Sequence, residues 1–142
     1  MRRNILVYRL FVDINVILDV AELRTPHYPQ SQEVLSIIEK KKARGFISAA
    51  SYPVLFYLLK KEIGAQDALN YLRRLLKLLT VVAVGRKTLE SAMEAAAVDF
   101  EDGIQLACAQ ACRAHYIITR DLSGYDESPI PALSPTEYLA LD

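Results

Sequence analysis

The hydrophobic pattern of this chain changes period repeatedly, and each change marks an element. Positions 7–12 are mostly β-branched, aromatic and aliphatic, which predicts a buried strand. Asp13-Ile14-Asn15 ends it, and a short helix is predicted over 16–23. Thr25-Pro26-His27-Tyr28-Pro29 reads as a break. Ser31 opens a helix to about 43, with Val34, Leu35 and Ile38 on its inner face and Gly45 as its stop. A second strand follows over 46–49, then a helix over 51–61 with Pro53 in its first turn and Gly64 at its end. Positions 67–79 are strongly amphipathic: Leu69, Leu72, Leu76 and Leu79 form the stripe, and Arg73, Arg74 and Lys77 lie off it. The remaining pattern predicts a strand over 80–84, a helix over 87–97 and a helix over 102–114 capped near Asp99. A strand over 116–119, a loop over 122–129, an edge strand over 130–133 and a helix opening at Ser134-Pro135 complete the chain.

Strands alternating with helices imply an α/β fold: an α/β/α sandwich around a central, mostly parallel sheet of four to five strands, joined by right-handed crossovers. One domain over 1–142 accommodates the pattern, and that length is enough for a core without disulfide or metal staples. Val54 to Leu59 is apolar on every helix face, so this helix is either central in the core or part of a dimer contact. Tyr52, Phe56 and Tyr57 at its start favour the dimer.

Composition narrows the picture. Hydrophobic residues are 52% and charged residues 24%, ordinary for a soluble globular protein. No apolar run approaches the roughly 20 residues of a membrane span, and residues 1–10 lack the apolar region and cleavage site of a signal peptide. A cytoplasmic protein is expected. Formal net charge is zero, which argues against a dedicated duplex-DNA binder, so any nucleic-acid contact is local. Cys108 and Cys112 are four apart without further cysteines, and read as small buried side chains. Lys40-Lys41-Lys42-Ala43-Arg44 is a helix end that either contacts phosphate or complements the helix dipole. His27 and His115 have no partner pattern.

In a parallel sheet, ligands sit beyond the carboxyl ends of the strands. Asp13 ends the first strand, Asp121 ends the fourth, and Asp102 opens the helix that runs back to the fourth. Clustered carboxylates repel, and a hard divalent cation relieves the repulsion. Aspartates without a nucleophilic Ser or Cys, or a histidine base, suit metal-dependent phosphodiester hydrolysis. Each also has a plainer reading: Asp13 as a helix cap, Asp102 in a capping box with Asp99, Asp121 as a turn aspartate, Glu101 as a solvated first-turn acid and Asp19 as a surface residue. Arg120 either touches a substrate phosphate or pairs with a carboxylate. A receiver-like phosphoacceptor domain also carries acids at this edge, but it needs an Asp after the third strand, and Val81-Val82-Ala83-Val84-Gly85 has none.

Phe11-Val12-Asp13-Ile14-Asn15-Val16-Ile17-Leu18-Asp19 resembles the opening motif of PIN domains. Asp99-Phe100-Glu101-Asp102-Gly103-Ile104-Gln105-Leu106-Ala107 is similar to their third acidic motif, and Ile117-Ile118-Thr119-Arg120-Asp121 to their fourth. The resemblance runs along nearly the whole chain and implies a metal-dependent endoribonuclease using Mg²⁺ or Mn²⁺. Asp13, Asp102 and Asp121 would be its ligands and catalytic acids, and Asn15, Thr119 and Arg120 would line the site. Small members of this kind resemble VapC toxins, which implies a homodimer, an RNA substrate and an antitoxin protein as partner. The family's usual glutamate early in the helix after the second strand is missing: Ser48-Ala49-Ala50-Ser51-Tyr52-Pro53-Val54-Leu55-Phe56-Tyr57 contains no acid, and Glu62 lies three turns on. Ser51, through a water, and Glu101, from the facing helix, are the candidate substitutes. The alternative is a catalytically weakened scaffold that binds RNA or protein.

Overall fold

The computed structural model describes residues 6–95 and 99–141. Five strands form one sheet: β1 (Tyr8–Val12), β2 (Ala43–Ser48), β3 (Thr80–Val82), β4 (Tyr116–Ile118) and β5 (Ala132–Leu133). Their order is β3-β2-β1-β4-β5, and every pair is parallel. Between them run α1 (Ile14–Ala21), α2 (Tyr28–Glu39), α3 (Ser51–Ile63), α4 (Ala65–Leu78), α5 (Arg86–Glu94), α6 (Phe100–Ala111) and α7 (Pro135–Leu139). The α/β/α architecture expected from the alternation is present.

Side chains of a strand point alternately to the two faces, and a sheet covered on both sides is apolar at every step. The core follows that rule. Leu10 and Val12 of β1, Ile47 of β2 and Ile118 of β4 pack with α1, α2, α3 and α4. Phe11, Phe46 and Ile117, one residue out of phase, pack with Cys108 and Ala109 of α6 and with Cys112, which caps its end. Both cysteines are free and buried, and burial pushes their thiol pKa up.

Several boundaries differ from the sequence expectation. α2 begins at Tyr28, not Ser31, because Pro29 falls in its first turn, where its missing N–H is harmless. It ends at Glu39, and Lys41 adopts φ 60 just beyond. Gly45 is therefore not the helix stop; it lies within β2. An ideal Cβ there would meet Leu79 Cδ2 at 2.5 Å and Ile38 Cδ1 at 2.8 Å, so glycine lets α2 and Leu79 close onto the strand. On α4 the buried line is Ala68, Leu72 and Leu75, with Leu79 just beyond, while Leu69 and Leu76 are exposed. The helix is leucine-rich enough for its periodicity to fit two neighbouring stripes, and packing into the shared core selects the one containing small Ala68. α3 buries only one side, through Leu55 and Leu59, and leaves Val54 and Tyr57 exposed. α5 stops at Glu94, and the predicted end at Ala97 lies outside the described residues. The loop after β4 contains a 3-10 turn, Leu122–Tyr125. Among the described residues, no helix is long and apolar enough to cross a membrane.

Candidate active site

Strand order reverses between β1 and β4: from β1 the chain builds outward to β2 and β3, and β4 and β5 are added on the other side. Such a switch point opens a crevice at the carboxyl ends of its two strands. Asp13 leaves β1 there, its N–H still bonded to the Ile118 carbonyl of β4 at 3.0 Å. Thr119-Arg120-Asp121 leaves β4 beside it, and α6 returns Asp102 in its first turn.

The Asp13 carboxylate is held on both oxygens. Oδ1 accepts from the Ile14 N–H at 2.8 Å, as the cap of α1, and from Gln105 Nε2 at 3.1 Å. Oδ2 accepts from the Thr119 hydroxyl at 2.8 Å and Asn15 Nδ2 at 3.3 Å. The helix-cap and site readings of Asp13 are thus one geometry. Thr119 is fully buried, and its Oγ1 also accepts from Asn15 Nδ2 at 3.2 Å and from the Asp121 N–H at 3.0 Å. Asn15, Thr119, Asp13 and the Asp121 backbone therefore form one connected network.

Asp102 and Asp121 are freer. Asp121 is exposed, and its Oδ1 accepts from Ser123 at 2.8 Å. Asp102 sits against the turn after β4, so close that a Cβ on Gly124 would meet its Oδ2 at 2.8 Å. Partial burial, then the negative charges of Asp99, Asp13, Asp121 and Glu101, push the Asp102 carboxyl up from 3.8 to about 6. Asp99 caps α6 by accepting from the Glu101 N–H at 2.8 Å, and Glu101 is exposed. A cavity of about 490 Å³ opens beside Asp102, with Asp99, Ser123, Tyr125, Asp126 and Glu127 also on its wall. A larger one, about 590 Å³, lies away from these acids between α2 and α4.

Other placements differ from the sequence reading. Asp19 is not a surface residue: it is fully buried, because Arg120 pairs with it through both guanidinium arms, at 2.6 and 2.8 Å. Ser51 is buried, and its hydroxyl has no hydrogen-bond partner, so it stands outside the Asp13 network. α3 has no acid in its first turn. His115 is engaged away from this edge, accepting from the Arg9 N–H at 2.9 Å.

Two neighbours of the site were given no role by the sequence. Gln105 lies one helical turn beyond Asp102, and that spacing was the available clue. Tyr125 is buried with an unpartnered hydroxyl, and its approach to Asp13 falls short of hydrogen-bond geometry. Burial and then the charges of Asp13, Asp102 and Asp121 raise its pKa beyond the ordinary phenol range, so it stays protonated.

The donor set suits a hard divalent cation: carboxylate oxygens only, with one carboxyl pushed up by partial burial and by neighbouring negative charge. Among the described residues, no three His, Cys, Asp or Glu side chains converge closely enough to enclose an ion by themselves. The three aspartates expected as ligands therefore do not form a closed cage; Mg²⁺ commonly uses one or two carboxylates and fills the remaining positions with water and substrate oxygens.

This site also has relatives. The chain is 26% identical over 135 residues, 92% of its own length and 92% of the other's, to Ribonuclease VapC1 of Aquifex aeolicus (strain VF5). Its fold overlays a toxin–antitoxin complex from Klebsiella pneumoniae with a TM-score of 0.68, at 20% identity, covering 89% of this chain and 97% of that one. It overlays VapBC2 from Rickettsia felis, bound to a DNA fragment from its promoter, with a TM-score of 0.68 at 14% identity, covering 89% and 98%. These overlays concern the fold. The family match is more direct: residues 9–123 match the PIN domain, a stretch that begins in β1, takes in Asp13, Asp102 and Asp121, and ends in the turn after β4. On that match, the chain belongs to the PIN domain family.

Proposed function

We propose that this protein is a metal-dependent endoribonuclease, a single PIN domain acting as the toxin of a toxin–antitoxin pair in the cytoplasm, with Asp13, Asp102 and Asp121 as its catalytic carboxylates. The observation that carries the reading is Asp102. Burial and the charges of Asp99, Asp13, Asp121 and Glu101 push its carboxyl to about 6, at the switch point where a substrate has room to enter. The name of the Aquifex relative supports ribonuclease chemistry, and the Klebsiella complex supports an antitoxin partner. Exposed Val54 and Tyr57 on α3 support a homodimer contact.

Mg²⁺ or Mn²⁺ at the edge lined by Asp13, Asp102 and Asp121, held directly by one or two of them and through water by the rest, would supply charge neutralisation and a more acidic bound water. The chain's own groups prepare the edge. Donors from Ile14, Gln105, Thr119 and Asn15 fix the Asp13 carboxylate in position. Ser123 orients Asp121. Gly124 leaves room for Asp102 to face the cavity.

A second reading, a weakened scaffold that binds RNA or protein without cutting, is favoured by the acid-free start of α3. Mn²⁺ calorimetry on wild type and Asp13→Asn, with RNA cleavage assayed on the same samples, separates the two. Loss of both binding and cleavage in the variant supports the nuclease. Wild-type binding without cleavage of any RNA supports the scaffold. Absence of Mn²⁺ binding at millimolar concentration removes the metal site altogether.

A further inference from the structure

Arg120 stands between two residues of the site, yet its charge is committed elsewhere. Its Nε and Nη2 donate to the two oxygens of Asp19, and Ser31 of α2 donates to the same carboxylate at 3.1 Å. Its backbone N–H donates to Asn15 Oδ1 at 3.1 Å. Asn15 and Asp19 are four apart on α1 and so share one face. That face therefore grips residue 120 twice, at the main chain and at the side chain. The two neighbours of residue 120 are Thr119, which donates to Asp13, and Asp121.

A guanidinium–carboxylate fork fixes orientation as well as distance. A buried ion pair, in contrast, is a poor source of stability compared with apolar packing of the same shape, and its better-attested use is to select one arrangement. We infer that Asp19 and Arg120 form a strut that positions Asn15, Thr119 and Asp121 against Asp13, and that Arg120 is a positioning residue, not a phosphate ligand. The inference rests on the reading of this edge as a ribonuclease site. The Asn15 amide transmits the constraint. With its Oδ1 fixed by the Arg120 N–H, its Nδ2 must face Thr119 Oγ1 and Asp13 Oδ2. Were residue 120 to shift, the amide would lose the one bond that anchors its oxygen and be oriented by Nδ2 alone.

The test is a double-mutant cycle on the full chain with Asp19→Asn, Arg120→Gln and the pair together. With single-stranded RNA and Mn²⁺, each single variant is expected to lower kcat about tenfold or more while KM stays within about twofold. The double variant should be no worse than the poorer single. The salt slope of RNA binding should not change. If Arg120→Gln raises KM and reduces the slope by about 0.7, while Asp19→Asn is silent, Arg120 is a phosphate ligand and the strut is wrong. A wild type that cleaves no RNA defeats the ribonuclease reading, and the strut is then judged by NMR. The Arg120 Nε–H of wild type should exchange slowly with solvent, and Asp19→Asn should shift the Asn15 side-chain amide. Rapid exchange, or an unmoved Asn15 amide, overturns the strut. Should Asp19→Asn fail to fold, Arg120→Lys keeps the charge without the fork and is expected to show the same loss of kcat; full activity in it overturns the strut equally.

Discussion

Asp102 meets like charges without a hydrogen-bond donor to offset them, and that has a sign in solution. In metal-free protein at neutral pH, both the folded and unfolded chains carry it ionised, and the folded state bears the cost of its partial burial and of the repulsion. As pH falls through about 6, the folded state takes up a proton that the unfolded state, near 3.8, does not. This group therefore makes the protein more stable as pH drops across that window, and the gain levels off below it. The side chain is partly exposed, so after solvent screening the gain is on the order of 1 kcal/mol. Urea midpoints at pH 7 and pH 5, for wild type and Asp102→Asn, measure it: the difference between the two proteins should narrow at the lower pH. A constant difference would mean that the carboxyl is not crowded. Asp13, Asp102 and Asp121 were legible in the sequence because the end of a strand and the start of a returning helix are positions that alternation alone locates. Asp19 and Gln105 were not. Their roles depend on which residue faces them across the crevice, Arg120 and Asp13, and one-dimensional spacing carries no such information.

At the scale of elements, strand and helix identities followed from period, whereas ends and faces depended on what packs against them. Gly45 is the clearest case. In the sequence, a glycine after a lysine run looks like a helix stop; in the fold it is the strand position over which Ile38 and Leu79 close. Gly45→Ala should therefore destabilise the protein by about 1–3 kcal/mol, as an overpacked core does, because both side chains it would strike are themselves buried. Chemical denaturation with an unchanged m-value checks this, and a neutral effect would mean that α2 and Leu79 shift freely off the sheet. The α4 stripe teaches the same point. Leu75 and Leu76 satisfy helical periodicity equally, and only the way α4 packs in the fold decides that Leu75 is buried and Leu76 is not.

For the whole molecule, stability and the proposed chemistry pull against each other through the same carboxylates. A cation that binds only the folded state adds RT ln(1 + [L]/Kd), about 2.7 kcal/mol when free ion is 100-fold above Kd. Mg²⁺ should thus raise the Tm of the wild type progressively with concentration. Asp102→Asn removes a repelled charge and a candidate ligand in one change. It should melt higher than wild type without metal, gain little or nothing from Mg²⁺, and lose RNA cleavage, as expected where a site holds residues that the fold alone would not favour. Thermal melts of both proteins across a Mg²⁺ titration, with Ca²⁺ and matched NaCl as controls for screening, decide it. Equal Mg²⁺ shifts in the two proteins would show that the ion acts on general surface charge and not at this edge. A variant less stable than wild type without metal would show that Asp102 contributes to folding, and that its crowded position has a structural cause instead of a catalytic one.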